Sequence, residues 1–147
     1  MKLERVSDWM TRDVITITPD TTLSTADRLM TTHEIRRLPV VKKNGRLHAI
    51  ITYGDVREAR PSSATSLSIW EIHSLLANTT IKEIMQTDVI YTTADTTIGE
   101  VAQLMLFNAI GSLPVVDDKH HVIGIITESD IFRMVVRDWN KQEAISE

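Results

Sequence analysis

Apolar and polar positions along this chain follow one programme and then repeat it. An alternating, β-branched stretch, Asp13-Val14-Ile15-Thr16-Ile17, predicts a short strand, and an Asp20-Thr21-Thr22 turn follows it. Ala26, Leu29, Met30 and His33 then recur at helical spacing, which predicts an amphipathic helix to about Glu34. Two apolar runs, Leu38–Val41 and Leu47–Thr52, flank Lys42-Lys43-Asn44-Gly45-Arg46, a strong turn signal, and predict a hairpin. The second run ends at Thr52, with Asp55 three positions on. Thr-x-x-Asp is a helix start: the hydroxyl caps a free backbone N–H, and the carboxylate sits where the helix dipole favours it.

Every step recurs 75 positions later: Asp88–Thr92, Asp95-Thr96-Thr97, a helix through Val101, Leu104, Met105 and Asn108 to about Ala109, Leu113–Val116, Val122–Thr127 and Asp130. The second hairpin turn, Asp117–His121, is the weaker signal. Laid over Ile81–Ile131 without a gap, Val6–Val56 is identical at about 19 of 51 positions, which only duplication explains. A short helical turn ending in Met opens each copy, Ser7–Met10 and Lys82–Met85. The repeating unit is strand, helix, strand, strand, helix, and two such halves are too short to bury good cores separately, so they are expected to pack on each other. Residues 1–59 read as the first repeat, 60–80 as a structured linker, 81–137 as the second repeat and 138–147 as a tail. The linker opens as a loop, Pro61–Ser66, and enters a compact helix capped by Ser68 with Glu71, with Leu67 and Ile72 as staple.

Composition narrows the function classes. The 147 residues are 42% hydrophobic and 24% charged, a globular composition. No apolar run could span a bilayer, and the N-terminus, with Lys2, Glu4 and Arg5, is no signal peptide, so a cytoplasmic protein is expected. The chain has no cysteine, which excludes disulfides and thiolate chemistry, and a net charge of −4 argues against a broad nucleic-acid surface. No nucleophile–base set, Walker loop or metal motif is present, so an enzyme is not expected. His120 and His121 read as loop histidines, Met30 and Met105 as core, and Trp9, Trp70 and Trp139 as packing or dimer residues. The Thr-x-x-Asp corners remain: each offers a carboxylate for vicinal hydroxyls, beside a hydroxyl and amides suited to phosphate.

Taken together, the Met before each Asp-Val-Ile, the Asp-x-Thr turn, Leu-Pro-Val-Val and the closing Ile-Ile-Thr-x-x-Asp resemble a tandem pair of CBS (cystathionine β-synthase) domains, a Bateman module, from about Val6 to Arg137. The linker passage is similar, more loosely, to that of small bacterial CBS proteins of the acetoin-utilisation type. The resemblance implies a mixed α/β fold, two repeats packed with pseudo-twofold symmetry, further association into a homodimer, and clefts between the repeats for AMP, ADP, ATP or S-adenosylmethionine, with no cofactor required. It places Asp55 and Asp130 on ribose, and Thr52 and Thr127 near ribose or phosphate. Ile15 and Ile90 fall against adenine. Arg36 and Arg37, with Gly111 and Ser112 at the equivalent positions, stand where family members bind phosphate.

Pro39 and Pro114 cannot donate to a ladder, so that part of the strand is an edge or faces a ligand. The Arg pair makes the first repeat the phosphate binder. Ala49 stands where the second repeat has Gly124, which suggests a more open corner at Asp130. Which aspartate shares a site with Arg36 and Arg37 stays open at this point. The leading function is a regulatory module in which an adenosyl ligand shifts a dimer or partner equilibrium. The alternative is a dimerisation or interaction domain with vestigial clefts, working with an unknown protein partner and with neither nucleic acid nor membrane.

Overall fold

The computed structural model describes residues 4–62 and 65–146. Lys2, Ser63, Ala64 and the last residue of the expected tail, all used in the readings above, lie outside the described residues. In chain order the elements are α1 (Val6–Trp9), α2 (Leu23–Thr32), β1 (Arg37–Val41), β2 (Leu47–Thr52), α3 (Tyr53–Ala59), α4 (Ile69–Asn78), β3 (Thr92–Thr93), α5 (Ile98–Asn108), β4 (Ser112–Val116), β5 (Val122–Thr127) and α6 (Glu128–Ser146), with a 3₁₀ turn at Ile81–Glu83. The fold is mixed α/β, and helix, hairpin, helix occurs twice as predicted; the opening strand expected at Asp13–Ile17 is a single bridge at Ile17, and the one expected at Asp88–Thr92 is Thr92–Thr93. Helix α6 continues through the stretch read as a tail.

Residues group in space differently from the sequence repeats. Ile15–Val89 makes one compact unit, and the residues up to Val14 join those from Ile90 onward in the other. Each unit has its own apolar core, drawn from both repeats. In the first, Leu23, Ala26 and Met30 of α2 meet Leu38, Val40, Ala49, Ile51 and Val56, together with Ile81 from beyond the linker. In the second, Ile98, Val101 and Met105 of α5 meet Leu113, Val115, Ile126 and Met134, together with Val6 and Met10 from the N-terminus. The opening turn of each repeat thus completes the core of the other repeat's sheet, which is how about 75 residues come to enclose a core.

Backbone hydrogen bonds hold the exchanged segments at two matching places. The Glu4 carbonyl accepts from Ile98 N–H (2.9 Å), and Thr79 carbonyl accepts from Leu23 N–H (2.9 Å), so each segment satisfies a free donor at the start of a central helix. Further on, Thr11 and Ile125 exchange two bonds, both 2.9 Å, as Gln86 and Ile50 do at 2.9 and 3.0 Å. An ionic clamp reinforces the N-terminal segment. Arg137 donates to both oxygens of Glu4 (2.6 and 2.9 Å) and to Asp138 (2.6 Å), and lies 5.0 Å from the Trp9 ring centre. The hydrogen bonds to Arg137 hold the Glu4 and Asp138 carboxyls below their ordinary values.

Helix ends follow the local sequence. Thr22, Ser68 and Thr97 each accept the N–H three residues on, at 3.2, 3.2 and 3.3 Å. Glu34 and Ala109 take the left-handed conformation (φ 54° and 55°) just past α2 and α5. There Ile35 N–H reaches Met30 carbonyl and Ile110 N–H reaches Met105 carbonyl, both 3.0 Å, a helix stop that offsets the roughly 1–2 kcal/mol cost of that conformation in a non-glycine residue. The weaker hairpin turn is explained in the same way. His120 (φ 66°) replaces the positive-φ Gly45 (φ 84°), and Asp117 compensates by accepting Lys119 and His121 N–H, both at 2.9 Å.

In both repeats the opening segment runs parallel to the Leu-Pro-Val-Val strand, as an isolated bridge in the first and as the short strand β3 in the second. Ile17 bridges Val40, and Thr92 and Thr93 pair with Val115 and Val116. Pro39 carbonyl accepts from Ile17 N–H (3.0 Å) and Val41 N–H donates to Ile17 carbonyl (2.8 Å), so this ladder begins at Pro39 and the missing N–H falls just outside it.

Candidate functional site

The strand register gathers the predicted residues. Leu38, Val40, Ala49 and Ile51 turn into the core of the first unit, so by alternation Arg37, Pro39, Ile50 and Thr52 share the opposite face of the β1–β2 hairpin. Arg37 is the strand partner of Thr52, and Tyr53 N–H donates to Arg36 carbonyl (2.7 Å). Arg36 and Arg37 therefore stand beside the Thr52–Asp55 corner of their own repeat. The Arg36 and Arg57 guanidiniums lie 6.0 and 5.9 Å from the Tyr53 ring centre. Neither Arg36 nor Arg37 is in an ion pair among the described residues.

Asp55 closes a capping box: Thr52 N–H donates to Oδ2 (2.8 Å), and Asp55 N–H donates to Thr52 Oγ1 (3.1 Å). Its carboxylate is half-buried and accepts from Gln86 Nε2 at 3.0 and 3.1 Å. Gln86 is exposed, and its single amide nitrogen donates to both carboxylate oxygens. Sequence reasoning missed Gln86 because it lies 31 positions from Asp55 and reaches it only through the segment exchange.

The second repeat builds the same corner with different charges. Asp130 Oδ2 accepts Thr127 N–H (2.9 Å) and Thr127 Oγ1 (3.1 Å), and Oδ1 accepts Arg133 Nη1 (2.8 Å). Asp130 is only 5% exposed, whereas the Arg133 arm lies at the surface. Ser112, the strand partner of Thr127, is buried, and its Oγ has no hydrogen-bond partner among the described residues. Ile15 and Ile90 are half-buried against the cores of their units, and Pro114 lies buried in β4.

The opening suggested by Gly124 is already occupied. A Cβ there would stand 2.7 Å from Met10 Sδ and 2.9 Å from Thr11 carbonyl oxygen, so the glycine admits the N-terminal segment rather than a ligand. Its counterpart Ala49 is fully buried in the core of the first unit, where the methyl cannot crowd a ligand from outside.

Two surface grooves lie away from these corners. One of about 580 Å³ runs along α5 between Tyr91 and Phe107, and one of about 480 Å³ lies beside the Arg60–Asp27 ion pair. Among the described residues no group of three metal-ligating side chains occurs, and no helix is long and apolar enough to cross a membrane.

The family model of the CBS domain matches residues 6–62 and 81–137. The chain belongs to the CBS-domain family. As a CBS pair it is similar to the uncharacterized protein MJ1225 of Methanocaldococcus jannaschii, 36% identical over an alignment of 137 residues that covers 88% of this chain and 46% of that protein. The chain spans less than half the length of the first curated relatives it matches. Among solved structures, the CBS domain pair of MJ0100, in complex with 5′-methylthioadenosine and S-adenosyl-L-methionine, superposes with a TM-score of 0.77 at 30% identity, covering 92% of this chain and 98% of that one. AcuB from Vibrio cholerae gives 0.78 at 32% identity, with 97% of each chain covered, in line with the acetoin-utilisation likeness.

Proposed function

We propose that this CBS pair is a non-catalytic regulatory module that binds adenosine-containing ligands (AMP, ADP, ATP or S-adenosylmethionine) at its Thr-x-x-Asp corners, acting in the cytoplasm. The observation that carries the reading is the paired corner itself. In each repeat a Thr-anchored carboxylate presents one edge to an exposed, displaceable donor, Gln86 or Arg133, where ribose hydroxyls would dock. The similarity to MJ0100, whose CBS pair was solved with two adenosyl compounds, supports the same ligand class. Ile15 and Ile90 are assigned to the adenine, Pro39 and Pro114 to the strand wall, and Arg36 and Arg37 to phosphate. A ligand that binds two packings of the module unequally shifts their populations by that difference in affinity.

Titration calorimetry with AMP, ATP and S-adenosylmethionine tests this. Binding to at least one is expected, and Asp130→Ala should weaken it by about 1–3 kcal/mol, the scale of a lost hydrogen bond to a charged group. No heat with any of the three at millimolar concentration would refute the reading.

A second observation favours homodimerisation as the readout. Phe132, Val135, Val136 and Trp139 recur at i, i+3, i+4 and i+7 on α6 and are 46–62% exposed, and Trp70 on α4 is 81% exposed. Light scattering should show a dimer that Trp139→Glu dissociates. A wild-type monomer at all concentrations would exclude it.

A further inference from the structure

We infer that the corner of the second repeat selects adenosyl ligands whose 5′ substituent is neutral or positively charged, while the corner of the first selects phosphorylated ones; this rests on the adenosine-binding reading above. The duplication allows a position-by-position comparison at the fixed offset. Arg36, Arg37, Tyr53 and Arg57 of the first repeat correspond to Gly111, Ser112, Glu128 and Phe132 of the second. Three cations are lost and a carboxylate is gained, against one change of the opposite sense, Glu58 to Arg133.

Geometry makes this more than a missing basic group. The Glu128 carboxylate lies directly over Gly111: a Cβ built there would be 2.8 Å from Oε1 and 3.0 Å from Cδ. The backbone bond from Glu128 N–H to Gly111 carbonyl (2.9 Å) fixes that apposition, just as Tyr53 N–H to Arg36 carbonyl fixes it in the first repeat. The space that receives the start of an arginine side chain in one corner holds an acid in the other. Glu128 is exposed and makes no ion pair among the described residues, while the exposed Arg133 donates to Asp130 and is the cation that a docking ribose would displace.

A phosphate entering this corner would meet Glu128 and Asp130, with Arg133 beside Asp130 in place of the three arginines of the first corner. A sulfonium or ammonium group would be attracted by the same field, and a thioether would be indifferent to it. The Ser112 hydroxyl supplies a neutral hydrogen-bonding group: it is 4% exposed, unpartnered, and on the same sheet face as Thr127. Its counterpart in the phosphate-selecting corner is the charged Arg37.

The test uses the full chain and three probes that share adenosine but differ at the 5′ carbon: AMP, 5′-methylthioadenosine and S-adenosylmethionine, titrated by calorimetry into wild type, Glu128→Gln and Glu128→Lys. Glu128→Gln should weaken S-adenosylmethionine relative to 5′-methylthioadenosine by about three- to fivefold, the scale of one exposed charge pair. Glu128→Lys should extend the loss and raise AMP stoichiometry at this corner. Because the neutral thioether is measured on each variant, a general loss of folding or adenosine binding cancels in the ratio. An unchanged ratio in both variants, with binding retained, overturns the charge assignment alone. Absence of all three probes from the wild type overturns the adenosine reading, and this inference with it.

Discussion

Replacing Gly124 by alanine tests whether the N-terminal segment is structurally part of the second unit. The added methyl would sit 2.7 Å from Met10 Sδ, a flexible atom that can swing away, and 2.9 Å from Thr11 carbonyl oxygen, a backbone atom that cannot yield without loosening its pairing with Ile125. Overpacking of this kind costs about 1–3 kcal/mol, and weakening two backbone hydrogen bonds adds about 1 kcal/mol each at most. Lower unfolded-state entropy returns about 0.4–1 kcal/mol. The expected net destabilisation is about 1–3 kcal/mol, large for a domain of marginal stability. Urea denaturation would read it as a lower midpoint with an unchanged slope. Amide exchange should accelerate at Thr11 and Ile125, whereas Ile50 and Gln86, which make the matching pair around Ala49, keep their protection. Equal or greater stability, or unchanged protection at Thr11, would refute the claim that this close approach requires glycine.

Arg37→Ala should weaken ATP binding more than adenosine binding in parallel titrations, and equal losses would make the arginine a support of the fold instead. The Arg137 clamp predicts a pH dependence. Glu4 and Asp138 have lowered carboxyl values in the folded state, so their contribution is fully present above their unfolded values and is lost as the pH falls through the folded ones. Denaturation midpoints should drop below about pH 4.5, and more steeply in wild type than in Arg137→Ala; parallel curves would show that the clamp contributes nothing.

Much of the site was legible because its construction is local. Thr52 with Asp55, and Thr127 with Asp130, are helix starts whose partners lie three residues away, and spacing alone reveals them. Arg36 and Arg37 precede a recognisable strand, and the register brings them to Thr52. Gln86, Arg133 and Glu128 were not read as parts of the site, for different reasons. Arg133 is one turn from Asp130, but nothing in the order of residues shows which way its arm folds. Gln86 approaches Asp55 across a whole linker. Glu128 lies inside the Thr-x-x-Asp turn, but the order of residues does not show that its carboxylate lies over Gly111.

The sequence by itself determined the duplication, the order of elements, the caps and the family, because these depend on periodicity and on neighbours within a few residues. The tertiary structure alone decided that Val6 and Met10 complete the core of the second repeat and that Ile81 completes that of the first. It also decided that Gly124 yields its space to a backbone. These are contacts between residues up to about 120 positions apart, set by which apolar surface a segment can cover, and two repeats alike enough to be aligned offer the same surface to either opening turn.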